Sequence, residues 1–118
     1  MRTPSRGAGV VVTVGAALAC LGVSAPSASA ADACVVNGPA YYCHNAYGAA
    51  VYDSFDHPGK VVGRMYTTYS WFSCRIDKGA YVGGPHPYRW LMTKADNGVW
   101  GFMKDTSISS ETNPVISC

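Results

Sequence analysis

The sequence predicts a small all-β domain held by two disulfides, and three observations carry that reading. After Ala30 no segment sustains an i, i+3, i+4 apolar pattern. Short runs rich in Val, Tyr, Trp and Thr alternate instead with turn residues. Four cysteines remain once an N-terminal leader is set aside.

Residues 1–30 have the make-up of a secretory signal. Arg2 and Arg6 give a positive start, Val10 to Leu21 form an apolar core, and Ala28-Ser29-Ala30 supplies a small-residue cleavage site. The core is shorter than the ~20 apolar residues a bilayer span needs, so cleavage after Ala30 and export are expected, with no membrane attachment afterwards. Cys20 leaves with the leader, because Ala17-Leu18-Ala19-Cys20 lacks the Leu usual before a lipid-bearing cysteine. The single domain 31–118 is too small for a generous apolar core, which makes covalent staples expected.

Cys34, Cys43, Cys74 and Cys118 are even in number and bound for an oxidising compartment, so two disulfides are expected rather than free thiols. No Cys-x-x-Cys pair occurs, and neither zinc nor another metal or cofactor is expected. Three connectivities are open. Loop entropy does not choose among them, but the turn chemistry of Asn37-Gly38-Pro39 favours Cys34–Cys43, leaving Cys74–Cys118.

The candidate strands are Ala40 to Cys43, Ala49 to Asp53, Val61 to Tyr69, Trp71 to Ile76, Tyr88 to Thr93 and Val99 to Met103. His57-Pro58-Gly59-Lys60 suits a type II turn. Asp96-Asn97-Gly98 between two apolar runs marks a hairpin. Gly79 to Pro87, with two glycines and two prolines near its end, reads as a long surface loop, and Asp105 to Ile108 as one short turn. Five or six short strands with tight turns suggest a small barrel, since closing the sheet hides its edges.

Two segments carry a family resemblance. Val51-Tyr52-Asp53-Ser54-Phe55-Asp56-His57-Pro58-Gly59-Lys60-Val61-Val62-Gly63 and, about forty residues on, Asn97-Gly98-Val99-Trp100-Gly101-Phe102-Met103 resemble bacterial SH3-type (SH3b) domains. Asn113 to Cys118 is similar to the ends of small secreted SH3-like proteins of Gram-positive bacteria. The resemblance implies an SH3-like, partly open barrel. It also implies recognition of cell-wall peptide or glycan, or of another extracellular protein, through an aromatic groove that here corresponds to Tyr52, Asp53 and Trp100.

All seven acidic residues and seven of the nine basic ones lie after Ala30, so the mature domain is formally neutral. That removes the electrostatic case for nucleic acid or an anionic membrane as partner. Catalysis has little to stand on either. His44, His57 and His86 have no paired-ligand spacing, the cysteines are consumed, no Gly-x-Ser-x-Gly occurs, and Glu111 is the only glutamate. No catalytic residue is therefore assigned, and an enzyme is not expected.

Aromatic residues dominate what remains, since all eight Tyr, three Trp and three Phe follow Ala30. So many rings cannot all be interior in a domain of this size. Tyr52 and Asp53 close one strand, while Tyr69 and Trp71 straddle the link between two others. Together with Trp100 they form the candidate ligand-binding set, set against the competing reading that individual tryptophans are core. A secreted, monomeric, non-catalytic binding module follows. The alternative is a protease inhibitor presenting the Gly79–Pro87 loop.

Overall fold

The computed structural model describes residues 32–118. The expected leader falls outside them. Seven strands follow one another as β1 (Val35–Asn37), β2 (Ala40–His44), β3 (Ala49–Tyr52), β4 (Val61–Met65), β5 (Tyr69–Ile76), β6 (Trp90–Lys94) and β7 (Trp100–Lys104). A single 3-10 turn, Asp105–Ser107, follows β7 where the short turn was expected. All strand pairs are antiparallel, in the order β1-β2-β5-β6-β7-β3-β4.

The all-β class and both disulfides, Cys34–Cys43 and Cys74–Cys118, are those read from the sequence. Three details differ. There are seven strands, not five or six, because Val35–Asn37 pairs with β2 through a two-residue turn at Gly38-Pro39. Gly38 adopts φ 63, the positive value the first position of such a turn demands, and Pro39 follows with its fixed φ. The sheet also stays open, with β1 and β4 at its ends. A turn substitutes for closure at one end: Asp96 N–H donates to the Arg64 carbonyl (3.1 Å) and Asn97 Nδ2 to that of Val62 (3.0 Å), covering the outer edge of β4.

The third correction concerns His57-Pro58-Gly59-Lys60. Gly59 is not among the glycines with positive φ, so no type II turn forms. The connection is instead a wide loop closed at its base, where Asp53 N–H donates to the Lys60 carbonyl (3.0 Å) and Lys60 N–H to the Asp53 carboxylate (3.3 Å). This pair of hydrogen bonds closes the loop, within which Phe55 packs onto Phe102, their rings 5.2 Å apart.

The Asn-Gly hairpin forms as expected. Gly98 N–H donates to Ala95 (2.8 Å), Ala95 N–H to Val99 (2.9 Å), and Gly98 carries φ 87. β6 and β7 then pair in unbroken register from Trp90↔Lys104 to Lys94↔Trp100.

Alternation divides the sheet into two faces. Inward go Val51, Met65, Phe72, Leu91 and Met103, joined by both cysteines of the Cys34–Cys43 bridge and by Ile108 and Val115 from the C-terminal segment. Burying each large side chain is worth about 1.5–3 kcal/mol. The outward positions of β2, β5, β6 and β7 carry Tyr42, Trp71, Met92, Lys94, Trp100 and Phe102. A β-bulge between Phe72 and Cys74 reverses the phase of β5, so that Cys74 and Ile76 face outward although Phe72 faces in.

Candidate functional site

An open face of aromatic side chains is unusual for a strand surface unless something is meant to cover it. Tyr42 stands directly opposite Trp71 on neighbouring strands, and Lys94 opposite Trp100. The Trp71 and Trp100 rings meet edge to face at 5.3 Å, reaching over β6, with the Lys94 ammonium 6.0 Å from the Trp100 centroid. Tyr69 extends the group, its ring 5.5 Å from Tyr42 and 4.5 Å from His44. Trp100 is 49% exposed and Tyr69 48%, so neither is core.

Two depressions flank Trp71. One, of about 380 Å³, lies between Trp71, Tyr42 and the Asn37–Ala40 turn. The other, of about 220 Å³, is bordered by Tyr42, Trp71, Tyr69, Lys94 and Asp96. Aromatic walls with a few convergent polar groups are what a preformed binding site requires. Asp96 itself is held rigidly, because its carboxylate accepts the backbone N–H groups of Tyr66 (2.7 Å) and Thr67 (3.0 Å).

The expected set therefore divides. Tyr69, Trp71 and Trp100 come together on this face. Tyr52 lies on the same face, opposite Phe102, but at its far end, packing edge to face on Trp90 at 5.6 Å with Lys104 over its ring at 5.3 Å. Asp53 closes the wide loop, its carboxylate accepting the Lys60 N–H through one oxygen. Trp90 shares the outer row of β6 with Met92 but is only 1% exposed, because the Gly79-Ala80 segment covers it and its Nε1 donates to the Ala80 carbonyl at 2.9 Å. The partner that sequence reasoning missed is Tyr42. Its signal was present, since Tyr42 precedes a half-cystine by one residue and alternation places it opposite to Cys43.

Elsewhere, side chains distant in sequence form a polar network. The Arg89 guanidinium is buried and donates to Asp77 (2.5 Å), Thr112 (3.0 Å) and Asn113 (3.0 Å), while Arg75 pairs with the other Asp77 oxygen. Thr112 donates to buried Asp105, and His86 Nε2 lies 2.9 Å from Glu111. These contacts tie the Gly79–Pro87 loop and the C-terminal segment to the sheet. Every ionised member has a partner, as buried charge requires.

Burial pushes the Asp105 carboxyl up from its ordinary value of 3.8, against the Thr112 hydroxyl and the nearby His86 and Arg89. Partial burial also works against Asp77 and Glu111, but the arginines hold Asp77 below 3.8, and the Asn113 N–H and His86 hold Glu111 below 4.5. The signs are opposed. Asp105 contributes stability that is complete below its ordinary value and lost as pH rises through its folded value, whereas Asp77 and Glu111 contribute stability lost as pH falls through theirs. Asp105→Asn, which cannot ionise, is thus expected to gain on the native protein between about pH 4 and about pH 7. Urea unfolding at both values checks this, and a constant difference would rule it out.

Among the described residues, no three His, Cys, Asp or Glu side chains group so as to hold a metal ion, and no helix is long and apolar enough to cross a membrane. Comparison with family models, with curated proteins and with solved structures returns no match to this chain.

Proposed function

We propose that the chain is a secreted, non-catalytic binding module that grips an extracellular polymer through the aromatic face of β2, β5, β6 and β7. The observation that carries this reading is the group of half-buried Tyr42 and Trp71 with exposed Trp100, with Lys94 and Asp96 beside it. Flat rings gain contact area at low entropic cost, and the two charged side chains orient whatever stacks there. The disulfides suit an extracellular setting. The SH3b resemblance points to the cell wall as the place where such a polymer is found, and the segments that carry it form β3, β4 and β7.

The inhibitor reading would use Gly79–Pro87. That loop is drawn down by Ala80 N–H to the Phe55 carbonyl (2.8 Å) and by Val82 N–H to that of Pro87 (2.7 Å), and Gly83 and Gly84 at its tip have φ 82 and 72. A substrate-like pose needs extended backbone, which a tip in the left-handed region does not supply. The aromatic face is accordingly the stronger reading.

The test is retention of the mature protein on a whole cell-wall fraction, glycan and attached protein together. Trp71→Ala with Trp100→Ala is expected to lower retention by about ten-fold or more while leaving the circular dichroism spectrum unchanged, because both rings lie outside the buried core. Native-like retention by a folded double variant would refute the assignment of this face.

A further inference from the structure

On the same outer face, one row along from the Trp71 and Trp100 pair, lies a cleft of about 520 Å³, larger than either depression beside Trp71. Its floor is apolar, made of Phe55 from the wide loop, Ile76 from β5, Met92 from β6 and Phe102 from β7. The floor exists because of two irregularities already described. The bulge in β5 turns Ile76 outward, and within the loop that Asp53 and Lys60 close, Phe55 packs against Phe102.

The mouth is polar and carries both signs. Lys78, which has no ion-pair partner among the described residues, lines it together with the Ser117 hydroxyl and the Arg75–Asp77 ion pair, whose carboxylate Arg89 also holds. Such a rim offers a donor to a carbonyl and an acceptor to an N–H.

We propose that this cleft seats a bulky apolar side chain of an extended polypeptide, whose neighbouring side chain on the same side rests on the Trp71 and Trp100 pair. The proposal builds on the binding reading above and names the chemical class of its partner. Three features select a polypeptide. A sugar ring would bury hydroxyls against Phe55, Ile76, Met92 and Phe102 without partners, which is costly. A plain acyl chain would satisfy the floor but leave the two-signed rim unused, whereas a peptide backbone carries one donor and one acceptor per residue.

Spacing supplies the third feature. Side chains two apart in an extended chain project to one side at about 6.6–6.8 Å. The same two-residue step separates Trp100 from Phe102 along β7, and Lys94 from Met92 along β6. A segment lying over these strands therefore meets both places in register, with a third residue between them facing solvent.

Methyl-labelled mature protein provides the test, read at the Met92 methyl and the Trp100 indole by NMR. The probes are N-acetyl-Phe-Gly-Phe-amide, N-acetyl-Phe-amide, the tetramer of N-acetylglucosamine, and decanoate. The tripeptide is expected to shift both signals in one saturable transition, with half-saturation at least about ten-fold below that of the single-residue amide, since linking two anchors raises effective concentration. Met92→Glu is expected to abolish the Met92-side response of the remaining cleft signals, and Phe55→Ala, in a loop, to weaken it should the first variant not fold.

A Met92 methyl unmoved by either peptide up to about 10 mM, with Trp100 responding to the wall fraction, would overturn the cleft alone. A Trp100 indole silent to every probe while Met92 moves would overturn the platform reading and leave the cleft as the only seat. A stronger Met92 response to the sugar tetramer or to decanoate than to the tripeptide would overturn the polypeptide assignment.

Discussion

Removal of the Cys74–Cys118 bridge, as Cys74→Ser with Cys118→Ser, is expected to cost about 4 kcal/mol of stability, and to lower the melting temperature by about 20 °C. The loop it closes spans 44 positions, against nine for Cys34–Cys43, whose loss is expected to cost about 2.7 kcal/mol on the same chain-entropy reasoning. The larger value is reinforced by what the bridge holds in place. Arg75 N–H donates to the Ile116 carbonyl (2.8 Å) and Cys118 N–H to that of Arg75 (3.0 Å), laying residues 115–118 along β5 and driving Val115 into the core. Calorimetry on the two double variants checks the order, and equal losses would show that loop length is not what sets the stabilisation.

The second large effect is expected at Gly101, where Ala should cost about 3 kcal/mol, at the upper end of overpacking. A Cβ there would lie 2.7 Å from Val51 Cγ1 and closer still to the carbonyl oxygen of Tyr52. The second obstacle is backbone of a paired strand, so relief requires β3 to move away from β7 and to give up the Tyr52↔Phe102 pairing. Gly98→Ala supplies the comparison. It meets nothing within 4 Å and suffers only from φ 87, an expected cost of about 1–2 kcal/mol. Urea unfolding of both variants separates the contributions, and a larger loss at Gly98 would contradict the crowding account.

The parts of the fold that alternation and turn chemistry encode were readable in advance. β6 and β7 with their Asn97-Gly98 turn, the Cys34–Cys43 ring around Gly38-Pro39, and the irregular Gly79–Pro87 stretch each depend on residues within about ten positions of one another. The missed features have longer-range causes. The bulge that turns Cys74 and Ile76 outward arises in the β5–β6 pairing, and nothing in Ser73 announces it. The Pro58-Gly59 turn lost to a base pairing between Asp53 and Lys60, a competition that local propensity does not weigh.

The candidate site was legible in the same uneven way. Trp71 and Trp100 meet over an intervening strand, which requires knowing that β6 lies between β5 and β7. Tyr52 and Asp53 looked equivalent to them because they too end a strand, yet Trp90 and the Lys60 backbone claim them. Likewise His86 and Glu111 sit 25 positions apart, and their contact depends on how the loop and the C-terminal segment come together.

The two-residue repeat of β5 to β7 has an evolutionary corollary. Odd and even positions of these strands answer to separate demands, one set packing the interior and the other touching whatever lies outside. Substitutions at Trp71, Lys94 or Trp100 are thus expected to remake the outer surface with little penalty to folding, while Phe72, Leu91 and Met103 are held by the interior. The outer surface of such a scaffold can vary while the frame beneath it is kept.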